Sequence, residues 1–182
     1  MLKFTVSTNI GEIPKKLRKK IAAIEHRAKN LRPVMEEIAQ TLYNHYARVF
    51  DSQGVEGNKP WAPLMQSTTE WKMKHGYDDE ILVATGHYKE SLTKMFSPRS
   101  LLIIDNNSIT IGTKVRNKAG TALTVFHEDG TTKMVDRPVL HTITPKVRDQ
   151  WYRQMRAYLL YGEILVDEEP EDFNTDGPWE SM

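Results

Sequence analysis

Cysteine is absent from all 182 positions. That excludes disulfide staples and thiolate zinc sites, and it fits a chain folded in a reducing cytoplasm. Long apolar runs are missing as well. The longest, Ser100–Ile104 with its neighbours, is strand-sized, far from the roughly 20 residues that cross a bilayer, so no membrane partner is expected. The opening residues carry no signal-peptide pattern. Over Met1–Ile10, Leu2, Phe4 and Val6 alternate with Lys3, Thr5 and Ser7, which reads as a strand. The marks of catalysis are missing too. There is no Gly-x-Ser-x-Gly elbow and no His-Glu-x-x-His, and Gly54–Lys59 lacks the Gly-Lys-Ser/Thr spacing and the preceding strand of a phosphate cradle.

What is present is ordinary in the mean and uneven in its distribution. A charged fraction of 27% and a hydrophobic fraction of 39% describe a globular chain, long enough to bury roughly 70% of its unfolded surface. The net charge is +1, but residues 1–32 hold nine Lys/Arg against Glu12 and Glu25, while residues 163–182 hold eight carboxylates and no Lys or Arg. Ends of opposite sign meet partners, or each other. We therefore expect one domain over 1–162 and a separate acidic tail over 163–182.

Periodicity supplies the elements. Pro14 opens a helix whose apolar stripe is Leu17, Ile21, Ile24, Ala28 and Leu31, ended by Arg32-Pro33. Met35, Ile38, Leu42, His45 or Tyr46, and Val49 form the buried face of a second helix, expected to pair antiparallel with the first. Asp51–Gln66 reads as loop, with Trp61 burying its ring. Ser67 and Glu70 have capping-box spacing for a short helix that stops at Gly76. Thr85-Gly86 opens another turn or two with Tyr88, Leu92 and Met95. Leu101–Asp105 and Ser108–Thr113 flank Asn106-Asn107 as a tight hairpin. Thr121–His127 and Thr131–Val135 read as a second hairpin around Asp129-Gly130. Thr144-Pro145 caps a helix to about Tyr161, with Val147, Trp151, Met155 and Tyr158 or Leu159 inward and Gly162 as its stop. The fold class is α+β: an N-terminal helical pair, a small antiparallel sheet of hairpins and a closing C-terminal helix.

Candidate sites divide into histidines and charged ends. None of His26, His45, His75, His87, His127 and His141 stands at His-x-x-x-His spacing from another, and no cysteine joins them. No metal site and no cofactor is expected. His127, followed by Glu128 and Asp129, is the one candidate for an enzyme built on a base and acids. Its alternative is a fixed structural hydrogen bond at a strand end, which we favour. Lys15, Lys16, Arg18, Lys19 and Lys20 suit phosphate contact, yet the apolar stripe beside them and the absence of stacking aromatics suit a solvated or partner-facing helix. In the tail, Phe173 and Trp179 stand among carboxylates, as in a segment that docks onto something basic. Lys15, Lys16, Lys19, Lys20, Phe173 and Trp179 are thus the candidate partner contacts.

Along the middle of the chain stand Trp61-Ala62-Pro63-Leu64, Thr68–Lys72, Thr85-Gly86, Ile111-Gly112-Thr113, Phe126-His127-x-x-Gly130 and Arg137-Pro138-Val139-Leu140. In order and spacing these pieces resemble the phage virion morphogenesis family, the tail-completion proteins of Mu-like and P2-like contractile-tailed phages, over roughly residues 45–160. His141, and the stretch Arg116–Gly120, depart from the pattern. The resemblance implies a non-enzymatic virion protein of the phage neck, assembled in the host cytoplasm, that finishes the tail and prepares head–tail joining. Its expected partners are other copies in a ring and the tail terminator, tail tube or head connector. The alternative is a DNA-binding or packaging accessory protein using the basic first helix. The matching positions are Trp61, Pro63, Leu64, Gly86, Gly112, His127, Gly130, Arg137, Pro138 and Leu140. Their implied role is scaffold: glycines at turns, Trp61 and Leu140 in the core, and Pro138 stiffening the approach to the last helix.

Overall fold

A computed structural model describes residues 14–132 and 134–166. The expected strand over Met1–Ile10, and the tail with Phe173 and Trp179, lie outside the described residues. The elements are α1 (Lys15–Ala28), α2 (Arg32–Asp51), a 3-10 turn (Val55–Gly57), α3 (Gln66–Lys74), α4 (His87–Thr93), β1 (Ser100–Ile104), β2 (Ile109–Thr113), α5 (Leu123–Asp129) and α6 (Pro145–Tyr161). This is the α+β arrangement, with two helices first and one last.

Helix α2 is the spine. Its apolar residues recur at helical spacing, so Val34, Met35, Ile38, Leu42, Tyr46, Val49 and Phe50 all reach the interior. The lower half joins Trp61, Tyr88, Leu92, Val139 and Val147 in one cluster, and the upper half joins Tyr158 in another. Burying each such side chain contributes about 1.5–3 kcal/mol, so α2 positions everything else. Phe50 meets the edges of two rings, Trp61 at 5.5 Å and Tyr88 at 6.0 Å.

The expected antiparallel packing of α1 on α2 gives way to a different neighbour. Helix α1 buries no residue and packs instead on α6, where Arg27 donates to the Leu159 and Leu160 carbonyls at 2.8 and 3.0 Å. Those are end-of-helix acceptors without intrahelical partners. The junction between α1 and α2 is held by Asn106, whose side chain accepts from Leu31 N–H and donates to the Lys29 carbonyl. That engagement corrects the turn reading. β1 and β2 pair antiparallel from Ser100↔Thr113 to Ile104↔Ile109, and neither Asn106 nor Asn107 has positive φ. Asn106 acts as a tie, and the loop is four residues long.

The capping box at Ser67 does not form. Helix α3 begins two residues earlier than that cap implies, with Met65 as its cap and no side-chain cap bond, and Glu70 accepts from Gln66 at 2.8 Å. Its end is as expected: Gly76 N–H donates to the Met73 carbonyl and Tyr77 N–H to that of Lys72, closing the helix. The last helix also follows expectation, with Thr144 accepting from Val147 N–H and Gly162 left-handed at its end.

The second hairpin is overturned. Residues Leu123–Asp129 are helical (α5), and Thr131 and Met134 meet only as an isolated bridge. Successive side chains on a strand point to opposite faces, whereas on a helix they are about 100° apart. Helical winding lets His127 and Glu128 both turn inward, and the site depends on that.

Candidate functional site

Three of the scattered motif pieces, those at 61–64, 126–130 and 137–140, come together in one place. Trp61 is buried, and its Nε1–H donates to the Pro138 carbonyl at 3.1 Å. Arg137, also buried, returns the connection: Nε donates to the Ala62 carbonyl at 3.0 Å and Nη2 to the Pro63 carbonyl at 3.1 Å. Trp61-Ala62-Pro63 and Arg137-Pro138 are therefore two strands of chain laced through each other's side chains, 74 to 77 residues apart in sequence. Lys59 and Asp136 add an ion pair at the rim.

Glu128 completes the knot. Its Oε1 accepts from Val139 N–H and Leu140 N–H, both at 2.9 Å, and its Oε2 accepts from His141 N–H at 3.2 Å. One buried carboxylate thus gathers three successive amides, as a bound anion would in a backbone nest. The His141 ring lies against the same Oε2 at 3.3 Å. It adds a contact at the rim. From the same helical turn, the His127 carbonyl accepts from Arg137 N–H at 2.7 Å.

The His127 ring packs on Tyr88 at 4.9 Å. Its Nδ1 is buried and without a partner among the described residues, as is the Tyr88 hydroxyl. Burial, and secondarily the nearby Arg137, hold the His127 pKa down at about 4. It is neutral at physiological pH. The expected fixed hydrogen bond at a strand end is thus replaced by a ring contact on a helix, and the bond its residue makes is through the backbone. Burial likewise pushes Tyr88 and Tyr46 well above the usual phenol range, with Glu128 adding to both.

The remaining motif positions divide by cause. Gly130 follows α5 with φ 70°, and a Cβ there would sit 2.9 Å from both Asp136 N and the Met134 carbonyl oxygen. Neither backbone atom has room to give way. Gly86 has positive φ at the start of α4 with open space around it. Gly112 is no turn glycine: it lies within β2 opposite Leu101. Pro138 is buried, Leu140 and Leu64 are half-buried, and Pro63 is exposed, contributing its carbonyl. Leu140 and His141 also form one wall of an open apolar groove of about 560 Å³ between α2, β2 and α6, which Ile38, Leu42, Trp151 and Met155 line as well.

Sequence reasoning missed three supports of this region. Gly54, at φ 91°, brings the Lys59 carbonyl and the Trp61 ring so close that any Cβ would overlap both. Lys72 is buried, its ammonium donating to the Glu80 and Val83 carbonyls at 2.6 Å each. His45, buried on α2, meets the Thr142 carbonyl at 2.9 Å, and burial lowers its pKa. Each partner lies at a loop carbonyl, which no local motif announces.

Lys15, Lys16, Lys19 and Lys20 are brought to none of this. They lie exposed on α1. Among the described residues there is no group of three His, Asp or Glu placed to hold a metal ion, and no helix long and apolar enough to cross a membrane. Trp61, Arg137 and Glu128 place their side-chain polar atoms on backbone groups of the facing segments. That arrangement holds chain segments in register.

No curated protein and no solved structure matches the chain. The phage virion morphogenesis family does match it, over residues 13–150 of 182. The match takes in both N-terminal helices, of which α1 and most of α2 lay before the motif-based span, and it stops within α6. With most of the chain covered, the chain belongs to the phage virion morphogenesis family and acts in the assembly of phage virions.

Proposed function

We propose that this protein acts at the phage neck, completing the tail and preparing it for joining to the head, as a ring of identical subunits and without catalysis. The observation that carries the reading is the lacing of Trp61-Ala62-Pro63 with Arg137-Pro138 around Glu128 in a chain of this family. Side chains that hold distant backbone groups fix a shape, and a shaped subunit works through its surfaces. Such surfaces are prominent here. Trp71, His75 and Tyr77 stack outward from α3, with Trp71 and His75 at 4.5 Å, and Phe96 and Tyr152 are exposed. Identical subunits with unlike contact patches assemble head to tail and close as rings when the rotation permits. The tail terminator, tail tube and head connector are the proposed neighbours, and residues 1–162 the proposed structural unit.

Gold-labelled antibody against the protein, applied to virions and to isolated tails, tests the location. The reading requires label at the head-proximal end of tails. Label along the tail shaft, at the baseplate or on the capsid faces would refute it. A second reading, DNA contact, is favoured by the exposed cationic run of α1. Steep loss of retention on duplex DNA with rising salt would support that reading.

A further inference from the structure

Every residue from Pro14 to Ala22 is exposed, including the apolar Leu17 and Ile21 at 47% and 40%. The second half of α1 is anchored, with Ala23, Ile24 and Arg27 half-buried and Arg27 bonded to the end of α6. The first half has an unfavourable design for a free helix. Lys15 and Lys19, and Lys16 and Lys20, are like charges four residues apart, which oppose helix formation. No acidic residue occupies the first turn and no side chain caps it, so these cations face the positive end of the helix dipole. A helix of this length is marginal without tertiary support. Among the described residues no carboxylate pairs with Lys15, Lys16, Lys19 or Lys20, and Leu17 and Ile21 stand exposed beside them.

The chain also carries an acidic segment with apolar side chains. Residues 167–182 hold Asp167, Glu168, Glu169, Glu171, Asp172, Asp176 and Glu180 with no Lys or Arg, and Phe173 and Trp179 stand among them. We propose that residues 167–182 of a neighbouring copy seat on the exposed face of α1, with Phe173 and Trp179 over Leu17 and Ile21 and the carboxylates beside Lys15, Lys16, Lys19 and Lys20. The neighbour's tail is favoured over the subunit's own by the path of the chain after α6. Gln154 donates to the Leu165 carbonyl at 3.2 Å and Glu163 N–H to that of Ala157 at 3.4 Å. The chain therefore doubles back along α6, leaving the end where Arg27 holds α1. The inference names a contact for the self-assembly proposed above and rests on that part of it.

Surface ion pairs contribute little each, so the apolar anchors supply part of the affinity while the charges set orientation and rate. The test uses full-length protein, half of it labelled with heavy nitrogen. A zero-length carbodiimide joins lysine amines to touching carboxylates, and mass spectrometry reads each cross-link's isotopes. The proposal requires cross-links between Lys15–Lys20 and residues 167–180 that pair a light with a heavy peptide. Leu17→Ser/Ile21→Ser and Phe173→Ser/Trp179→Ser should each weaken self-association about tenfold or more, with unchanged circular dichroism. Reversing the four lysines to Glu should abolish the cross-links' partners and the contact, and reversing Glu168, Glu169, Glu171 and Asp172 to Lys in the same chain should restore association. Same-isotope cross-links alone would overturn the proposal in favour of a tail folded on its own helix. Rings that form without these cross-links would overturn it and leave the ring intact, whereas a protein that stays monomeric without them would remove both. Salt-sensitive binding of duplex DNA by α1 without these cross-links would assign the face to nucleic acid.

Discussion

At the scale of single residues, the account rests on side chains that hold distant carbonyls and amides. Trp61 is the clearest case, since it fills core between Phe50 and Val139 and also donates to Pro138. Truncation of a buried Trp costs about 3–5 kcal/mol, so Trp61→Ala should lower the melting temperature by on the order of 10 °C. Melting within a degree or two of the parent would show the ring to be dispensable. Glu128→Gln is subtler, because it preserves size. The amide keeps one acceptor but turns its NH₂ toward an N–H that a carboxylate oxygen now accepts. A buried donor left unsatisfied costs about 1–3 kcal/mol, so urea unfolding should report a loss in that range with an unchanged m-value. No loss would mean that water already serves the 139–141 amides.

At the scale of elements, what was legible in the sequence followed from local rules. Helix α2 came from apolar spacing, α6 from Thr144-Pro145 and Gly162, and the β1–β2 pair from strand-like runs either side of two Asn residues. The failures came where tertiary contacts overrode local pattern. Thr121–His127 has the composition of a strand, yet α5 forms because a helix aims both His127 and Glu128 inward. Ser67 has the spacing of a cap, yet α3 starts at Gln66. Of the site, the motif positions were legible as scaffold but their lacing was not, since its bonds join residues more than 70 apart. Lys72 was invisible because nothing local marks a lysine whose partners are the Glu80 and Val83 carbonyls. It fastens the loop before α4, where Leu82 is held at φ 61°. Lys72→Met should therefore raise amide exchange across 77–86 while leaving α2 and α6 protected. Uniform loss of protection would mean that Lys72 supports the whole core.

At the scale of the molecule, buried histidines make stability depend on acid. His127 takes up a proton near pH 4 in the fold and near 6.5 when unfolded. Below 6.5 the unfolded chain binds the proton and the folded one does not, so stability is complete above that pH and falls as pH drops toward 4. The loss is about 3 kcal/mol when His127 is fully titrated, and His45, also lowered by burial, acts in the same direction. Chemical denaturation between pH 7 and 4 should show this decline. His127→Phe, which keeps the ring against Tyr88, should flatten it in part. An unchanged slope in that variant would place the acid sensitivity elsewhere.

A core laced to hold one shape, in a chain of the virion morphogenesis family, is the basis for the proposal that it works at the neck. Electron microscopy of lysates from a phage with this gene deleted tests that assignment most directly. DNA-filled heads and separate tails that do not join, rescued by adding the intact protein but not the Trp61→Ala chain at a temperature where it is unfolded, are the predicted result. Empty heads would point to packaging, and joined, infectious particles would contradict a role in completing the tail.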